Sequence, residues 1–158
     1  GKKLLFMGQD FGQWHEWDEK VSLDWHLTQE EQHHSLQSYV RDLLHLYKKY
    51  PALYSLDNDW NGFEWINAND GDRSIFFFIF LVETGKKNLL FVINFTPMAR
   101  SDYRVGVPKK GTYNLILNSQ EGLLTKGIPY KAEKGECDGQ PYAVSYPLPP
   151  YGTAVFRF

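Results

Sequence analysis

The chain is predicted to be mostly β: one β/α unit of a barrel, with one strand and one long helix, followed by an antiparallel β-sandwich. Three observations predict this. A short apolar run, Leu4 to Met7, passes through Gly8 into a loop of polar and aromatic residues and then into a stripe of helical period. From Gly62 onward, short β-rich segments alternate with turn signals. The composition also shifts: all five histidines precede residue 46, all five tryptophans precede residue 66, and the remainder is rich in Phe, Tyr, Val, Gly and Pro. The boundary falls near Pro51 to Asp59, giving parts 1–55 and 56–158.

The uninterrupted apolar run Leu4 to Met7 fits a strand buried on both faces. Gly8 ends it, and two amides, an imidazole, two indoles and several carboxylates follow, a composition suited to a ligand-facing loop. Thr28-Gln29-Glu30-Glu31 has the spacing of a capping box, which predicts a helix start with Thr28 as cap. Leu36, Tyr39, Val40, Leu43, Leu44, Leu46, Tyr47 and Tyr50 then form one helical stripe, and Pro51 ends it. Strand, loop and amphipathic helix together make one β/α unit, in which the loop after the strand lies on the catalytic face.

Strands are expected at Phe63 to Asn67, Ser74 to Val82, Leu89 to Phe95, Tyr103 to Val105, Thr112 to Leu117, Ala143 to Tyr146 and Thr153 to Phe158. Asn69-Asp70-Gly71-Asp72 and Thr84-Gly85-Lys86-Lys87 are the hairpin signals between the first three. The run Ile75 to Val82 is unusual in being wholly apolar, which leaves its strand end open and makes it an aggregation risk if unprotected.

Composition excludes several function classes. A hydrophobic fraction of 42% and an aromatic fraction of 16% describe a folded chain rather than a disordered one. A net charge of −2 gives no footprint for nucleic acid or an anionic membrane. The longest apolar run has eight residues, far short of the roughly 20 of a membrane span. Cys137 is the single cysteine, which favours a reducing, cytoplasmic setting. Because the chain opens directly on what reads as a buried strand, it is expected to be a piece of a longer protein.

Asp10, Glu16, Asp18, Glu19 and Asp24 invite a carboxylate-pair mechanism, but nothing in the sequence holds two of them at the roughly 5 to 5.5 Å that a retaining glycosidase needs. A supporting role is open to the loop. Trp14 and Trp17 offer flat apolar faces of the kind that pack on sugar rings, and Gln9, Asp10, Gln13 and Glu16 can bond hydroxyls. The alternative for each polar residue is a bond that only orders the loop, and for Trp17 packing beneath it. His26, His33 and His34 lack the H-x-x-x-H spacing of a metal pair and read as solvated or capping residues, so no metal or other cofactor is expected. The pairs Pro141-Tyr142 and Tyr146-Pro147 and the run Pro149-Pro150-Tyr151 read as rigid turns and an edge-strand stop; peptide recognition or a glucan surface site are the alternatives.

Leu4 to Gly8, the pair Asp10-Phe11, Glu16-Trp17 and Ser22-Leu23-Asp24-Trp25-His26-Leu27 resemble the end of the catalytic barrel in 1,4-α-glucan (glycogen) branching enzymes of the α-amylase superfamily. The resemblance continues through Val40-Arg41-Asp42-Leu43, Gly62-Phe63-Glu64-Trp65-Ile66, Asn94-Phe95-Thr96-Pro97 and Tyr103-Arg104-Val105-Gly106-Val107-Pro108, and so covers nearly the whole chain. It implies that residues 1–55 are the eighth barrel unit and 56–158 the all-β domain that follows. Asp10 stands where the family usually has glutamate. The resemblance further implies that the catalytic carboxylates follow earlier barrel strands absent from this chain, so that the piece alone is inactive. The implied partners are α-1,4-glucan or glycogen and the remainder of the barrel, with no nucleic acid and no membrane. A free-standing, non-catalytic glucan-binding or structural module is the alternative reading.

Overall fold

A computed structural model of the chain describes residues 3–67, 74–85 and 87–158. It divides into two compact units, Gly1–Lys49 and Tyr50–Phe158.

The first unit holds one long helix, α1 (Glu31–Lys49), preceded by a 3-10 turn at Trp25–Gln29. Pro51 follows α1 within two residues and opens a second 3-10 turn, Pro51–Leu53, as expected of a residue that cannot continue a helix. The start of α1 corrects the capping-box expectation. Thr28 belongs to the preceding 3-10 turn, where its hydroxyl donates to the Trp25 carbonyl at 2.7 Å, and the helix begins at Glu31 instead. Thr28 lies inside that turn, three residues ahead of the first helical residue, so its side chain is not at the cap position.

The strand expected at Leu4 to Met7 is also corrected. Residues 3–6 have no regular structure, residues 7–12 form successive turns, and Leu4 is 83% exposed. A strand exists only by pairing its backbone with a neighbour, and among the described residues none pairs with this segment. Of the expected β/α unit, the structure therefore contains the helix and the loop but not the strand.

The second unit is all-β. Among the described residues its nine strands are β1 (Phe63–Asn67), β2 (Ile75–Phe80), β3 (Leu89–Asn94), β4 (Arg100–Val107), β5 (Thr112–Asn118), β6 (Gly122–Lys131), β7 (Glu133–Cys137), β8 (Gln140–Leu148) and β9 (Thr153–Arg157). They form a six-stranded sheet of order β1-β2-β3-β9-β5-β6 and a three-stranded sheet of order β4-β8-β7, every described pairing antiparallel. The turn expected at Asn69-Asp70-Gly71-Asp72 lies outside the described residues, as does Lys86 of the second turn.

The core lies between the sheets. Ile75, Phe77 and Ile79 alternate inward from β2 and meet Leu90, Val92, Leu115 and Phe156 of the same sheet and Tyr103, Val105, Val144 and Leu148 of the other. Each fully buried aliphatic or aromatic side chain contributes about 1.5–3 kcal/mol, which is what holds the two sheets together. Strand period explains the apolar run: Phe76, Phe78 and Phe80 face outward and remain only half-buried. There Phe78 and Phe80 join Phe63, Trp65 and Phe91 in an aromatic cluster, with Phe78 and Phe91 stacked at 5.2 Å, while Phe76 meets Phe95 edge-on at 5.7 Å. The strand stops at Phe80, where the backbone leaves the ladder: the Leu81 amide donates to the Gly62 carbonyl and the Val82 amide to the Asn88 side chain.

Two strands, β6 and β7, escape the sequence pattern. Both are edge strands, and both carry polar, mostly exposed residues, with Pro129 and Gly127 inside β6. An edge strand tolerates proline because one row of its amides has no ladder partner.

Candidate functional site

The loop after Met7 is shaped by two glycines in the left-handed region, Gly8 at φ +77° and Gly12 at φ +65°. The Gly8 carbonyl accepts the amides of both Phe11 and Gln13, at 3.3 and 3.2 Å, which folds the chain back on itself. A side chain at Gly8 would meet Gln13, and one at Gly12 would meet Leu36 of α1 at 2.9 Å. Phe11, wholly buried, packs on Trp25, while its carbonyl is held at 2.8 Å by the His33 ring. His33 is thus a buried residue tying the loop to α1, in place of the solvated or capping role expected of it. The indole of Trp14 meets the same ring edge-on at 5.1 Å.

This folding leaves a hollow of about 400 Å³ lined by Phe6, Gly8, Gln9, Gln13, Glu16 and Trp17, among others. Of the six candidate residues, Gln9, Gln13, Glu16 and Trp17 therefore share one wall system. Asp10 and Trp14 do not line it; Asp10 is half-buried and Trp14 is 72% exposed beside it in the chain. Hydrogen bonding separates the four further. Both ends of the Gln13 amide are committed within the loop, donating to the His15 carbonyl at 2.8 Å and accepting the Asp24 amide at 3.3 Å. Gln9 accepts the Phe6 amide at 3.0 Å, which leaves its NH2 group to donate elsewhere. Trp17 stands edge-on to Phe6 at 5.3 Å and is 39% exposed, so an indole face remains available to a ligand.

A hydrogen-bonded pair not singled out in the sequence borders the site. His15 Nδ1 lies 2.8 Å from Asp24 Oδ2, nine residues along the chain. The hydrogen bond from His15 is the leading cause that holds the Asp24 carboxyl below its ordinary range, against a smaller opposing effect of desolvation. His15 also lines the hollow, so Asp24 fixes the ring's direction toward it. No spacing rule could have found this pair, because a loop rather than a helix brings the two together. Among the described residues no group of three or more His, Cys, Asp or Glu side chains could hold a metal ion, and no helix is long and apolar enough to cross a membrane.

Comparison with known proteins bears on the whole chain. Residues 65–158 match the model of the alpha amylase C-terminal all-beta domain. Over its full length the chain is 52% identical to a 1,4-alpha-glucan branching enzyme of Butyrivibrio fibrisolvens, of which it covers 26%. It is 43% identical, over 99% of its length, to the 1,4-alpha-glucan branching enzyme of Synechococcus elongatus, covering 21% of that protein. The chain thus spans about a quarter of the length of these relatives. Among solved structures, an isomaltulose synthase mutant from Erwinia rhapontici, in complex with D-glucose, aligns with 77% of the chain at 15% identity and a TM-score of 0.48, covering 17% of that protein's chain.

Proposed function

Because the chain belongs to the alpha-amylase C-terminal all-beta domain family, we propose that it is the C-terminal portion of a 1,4-α-glucan branching enzyme, acting in glycogen synthesis in the cytoplasm. The observation that carries this reading is the 52% identity to such an enzyme across every part of the chain, loop and helix included, and not only across the β domain. Residues 1–55 are then the last β/α unit of the catalytic barrel and residues 56–158 the domain that follows it. The exposed apolar residues Leu4 to Met7 support this, since they are the composition of a buried strand without the neighbours that would bury it.

In the whole enzyme, a carboxylate attacks the anomeric carbon of an α-1,4 linkage while an acid protonates the departing 4-oxygen, leaving a glycosyl ester. A 6-hydroxyl of another glucan chain then attacks that ester, losing its proton to the conjugate base and releasing the carboxylate, with an α-1,6 branch formed. These carboxylates belong to barrel strands outside this chain. The loop's contribution is one wall of the glucan site: Trp17 as an apolar face, Gln9, Glu16 and His15 as hydroxyl partners, and Gln13 and Asp24 as braces that keep them in place. Asp10 and Trp14 extend the same wall beyond the hollow.

The test is substitution in the complete gene product. Trp17→Ala is expected to lower branching of amylose by about tenfold or more, the scale of losing one aromatic contact to a sugar, and Gln13→Ala to lower it by disordering the loop. Unchanged branching in both variants would remove the loop from the glucan site. A free-standing binding module remains the second reading, favoured only if this chain alone binds linear glucan.

A further inference from the structure

Among the described residues of α1, His33 is the one buried polar side chain, 6% exposed. Its Nδ1 lies 2.8 Å from the Phe11 carbonyl, and since a carbonyl only accepts, that nitrogen carries the hydrogen and donates it. Nε2 is 3.9 Å from the exposed carboxylate of Glu30, too far for a hydrogen bond. The hydrogen bonding of the ring is therefore directed at one backbone atom, 22 residues earlier in the chain.

That atom sits where the loop is anchored. Phe11 is wholly buried against Trp25, and a side chain at Gly12 would meet Leu36 of α1 at 2.9 Å, so residues 11 and 12 lie directly on the helix. Neither Phe11 nor His33 lines the loop's hollow, but Gly12 and Gln13, the next residues along, do. The amides of Phe11 and Gln13 both donate to the Gly8 carbonyl, which closes the turn that His33 holds. From there the Gln13 side chain reaches the His15 carbonyl and the Asp24 amide, and so carries the position of Phe11 outward to the rest of the wall.

A wall built on irregular backbone is no more exact than its anchors, and misplacement by about 1 Å is enough to spoil a site. Residues 3–6 give the loop no strand to rest on among the described residues. We propose that His33 is a positioning residue for branching: acting through the Phe11 carbonyl, it sets where Gln13, and beyond it His15 and Asp24, stand in the glucan wall. It touches no substrate itself. This rests on the reading of the loop as that wall.

The experiment compares two amide variants of the complete gene product, with amylose as substrate. His33→Asn places an NH2 group near the position of Nδ1, where it still donates to Phe11. His33→Gln places it near that of Nε2, away from the carbonyl. His33→Gln is expected to raise KM about tenfold, the scale of one lost hydrogen bond. Its kcat should stay within about twofold, because the wall holds glucan equally before and during reaction. His33→Asn should keep KM within about twofold of the parent. A histidine that only stabilises the fold would lower the unfolding temperature in both variants and move KM in neither. The role of His33 is overturned if the two variants share one KM, if kcat falls while KM holds, or if neither variant folds. Trp17→Ala separates this from the reading beneath it. Branching lowered by Trp17→Ala with KM unmoved by His33→Gln overturns the role of His33 alone, and branching unchanged in both overturns the glucan wall with it.

Discussion

Asn94 shows how a single side chain can fix a corner of the sandwich. It is 1% exposed, and its NH2 group donates to the carbonyls of both Met98 and Pro149 at 2.9 Å. Its oxygen accepts the Thr96 amide and hydroxyl, so every hydrogen-bonding group it owns is used. Asn94→Ala leaves two carbonyls and an amide unmet, and is expected to cost about 1–3 kcal/mol in a urea unfolding experiment. A loss below a few tenths of that would mean water replaces the side chain. The His15 and Asp24 pair makes a second prediction at this scale. The folded midpoint of Asp24 lies below the ordinary 3.8, so the stabilisation it gives is present above the unfolded midpoint and lost as pH falls through the lowered one. Carbon NMR titration should find that lowered midpoint, and His15→Ala should move it back up toward 3.8; no movement would mean the pair is not formed in solution.

Strand period was legible element by element wherever one face is buried. Ile75 to Phe80, within the strand expected over Ser74 to Val82, alternates inward and outward without a break. The same alternation supplies a test. Phe77, wholly buried between the sheets, and Phe78, half-buried on the outer face, are identical in type and adjacent in sequence. Phe77→Ala is expected to destabilise by about 3–5 kcal/mol and Phe78→Ala by clearly less, measured as the difference in unfolding free energy. Equal losses would indicate that the outer aromatic cluster is as buried as the core. By contrast, β6 and β7 were not legible, since their residues are mostly exposed and leave no alternating apolar signature. Thr28 misled because the capping pattern is local: the chain is already in a 3-10 turn at Thr28, and α1 starts only at Glu31.

Taken as a whole, the molecule combines a β domain whose core is complete with an amino-terminal unit whose leading apolar residues are uncovered. The sandwich was readable because its information is internal: each inward residue finds its partner within residues 63–158. The strand at Leu4 to Met7 was not realised because no segment among the described residues pairs with it. The loop site lies between these cases. Its residue types were visible in the sequence, but the division into Gln13 as a brace and Trp17 as an open face depends on hydrogen bonds that only the folded loop supplies.

The most direct measurement is of linkage chemistry: proton NMR of amylose after incubation with the complete gene product, and separately with this 158-residue chain. New α-1,6 anomeric signals with the complete product and none with the chain alone are the predicted result. Branch formation by the chain alone, or none by the complete product, would contradict the account.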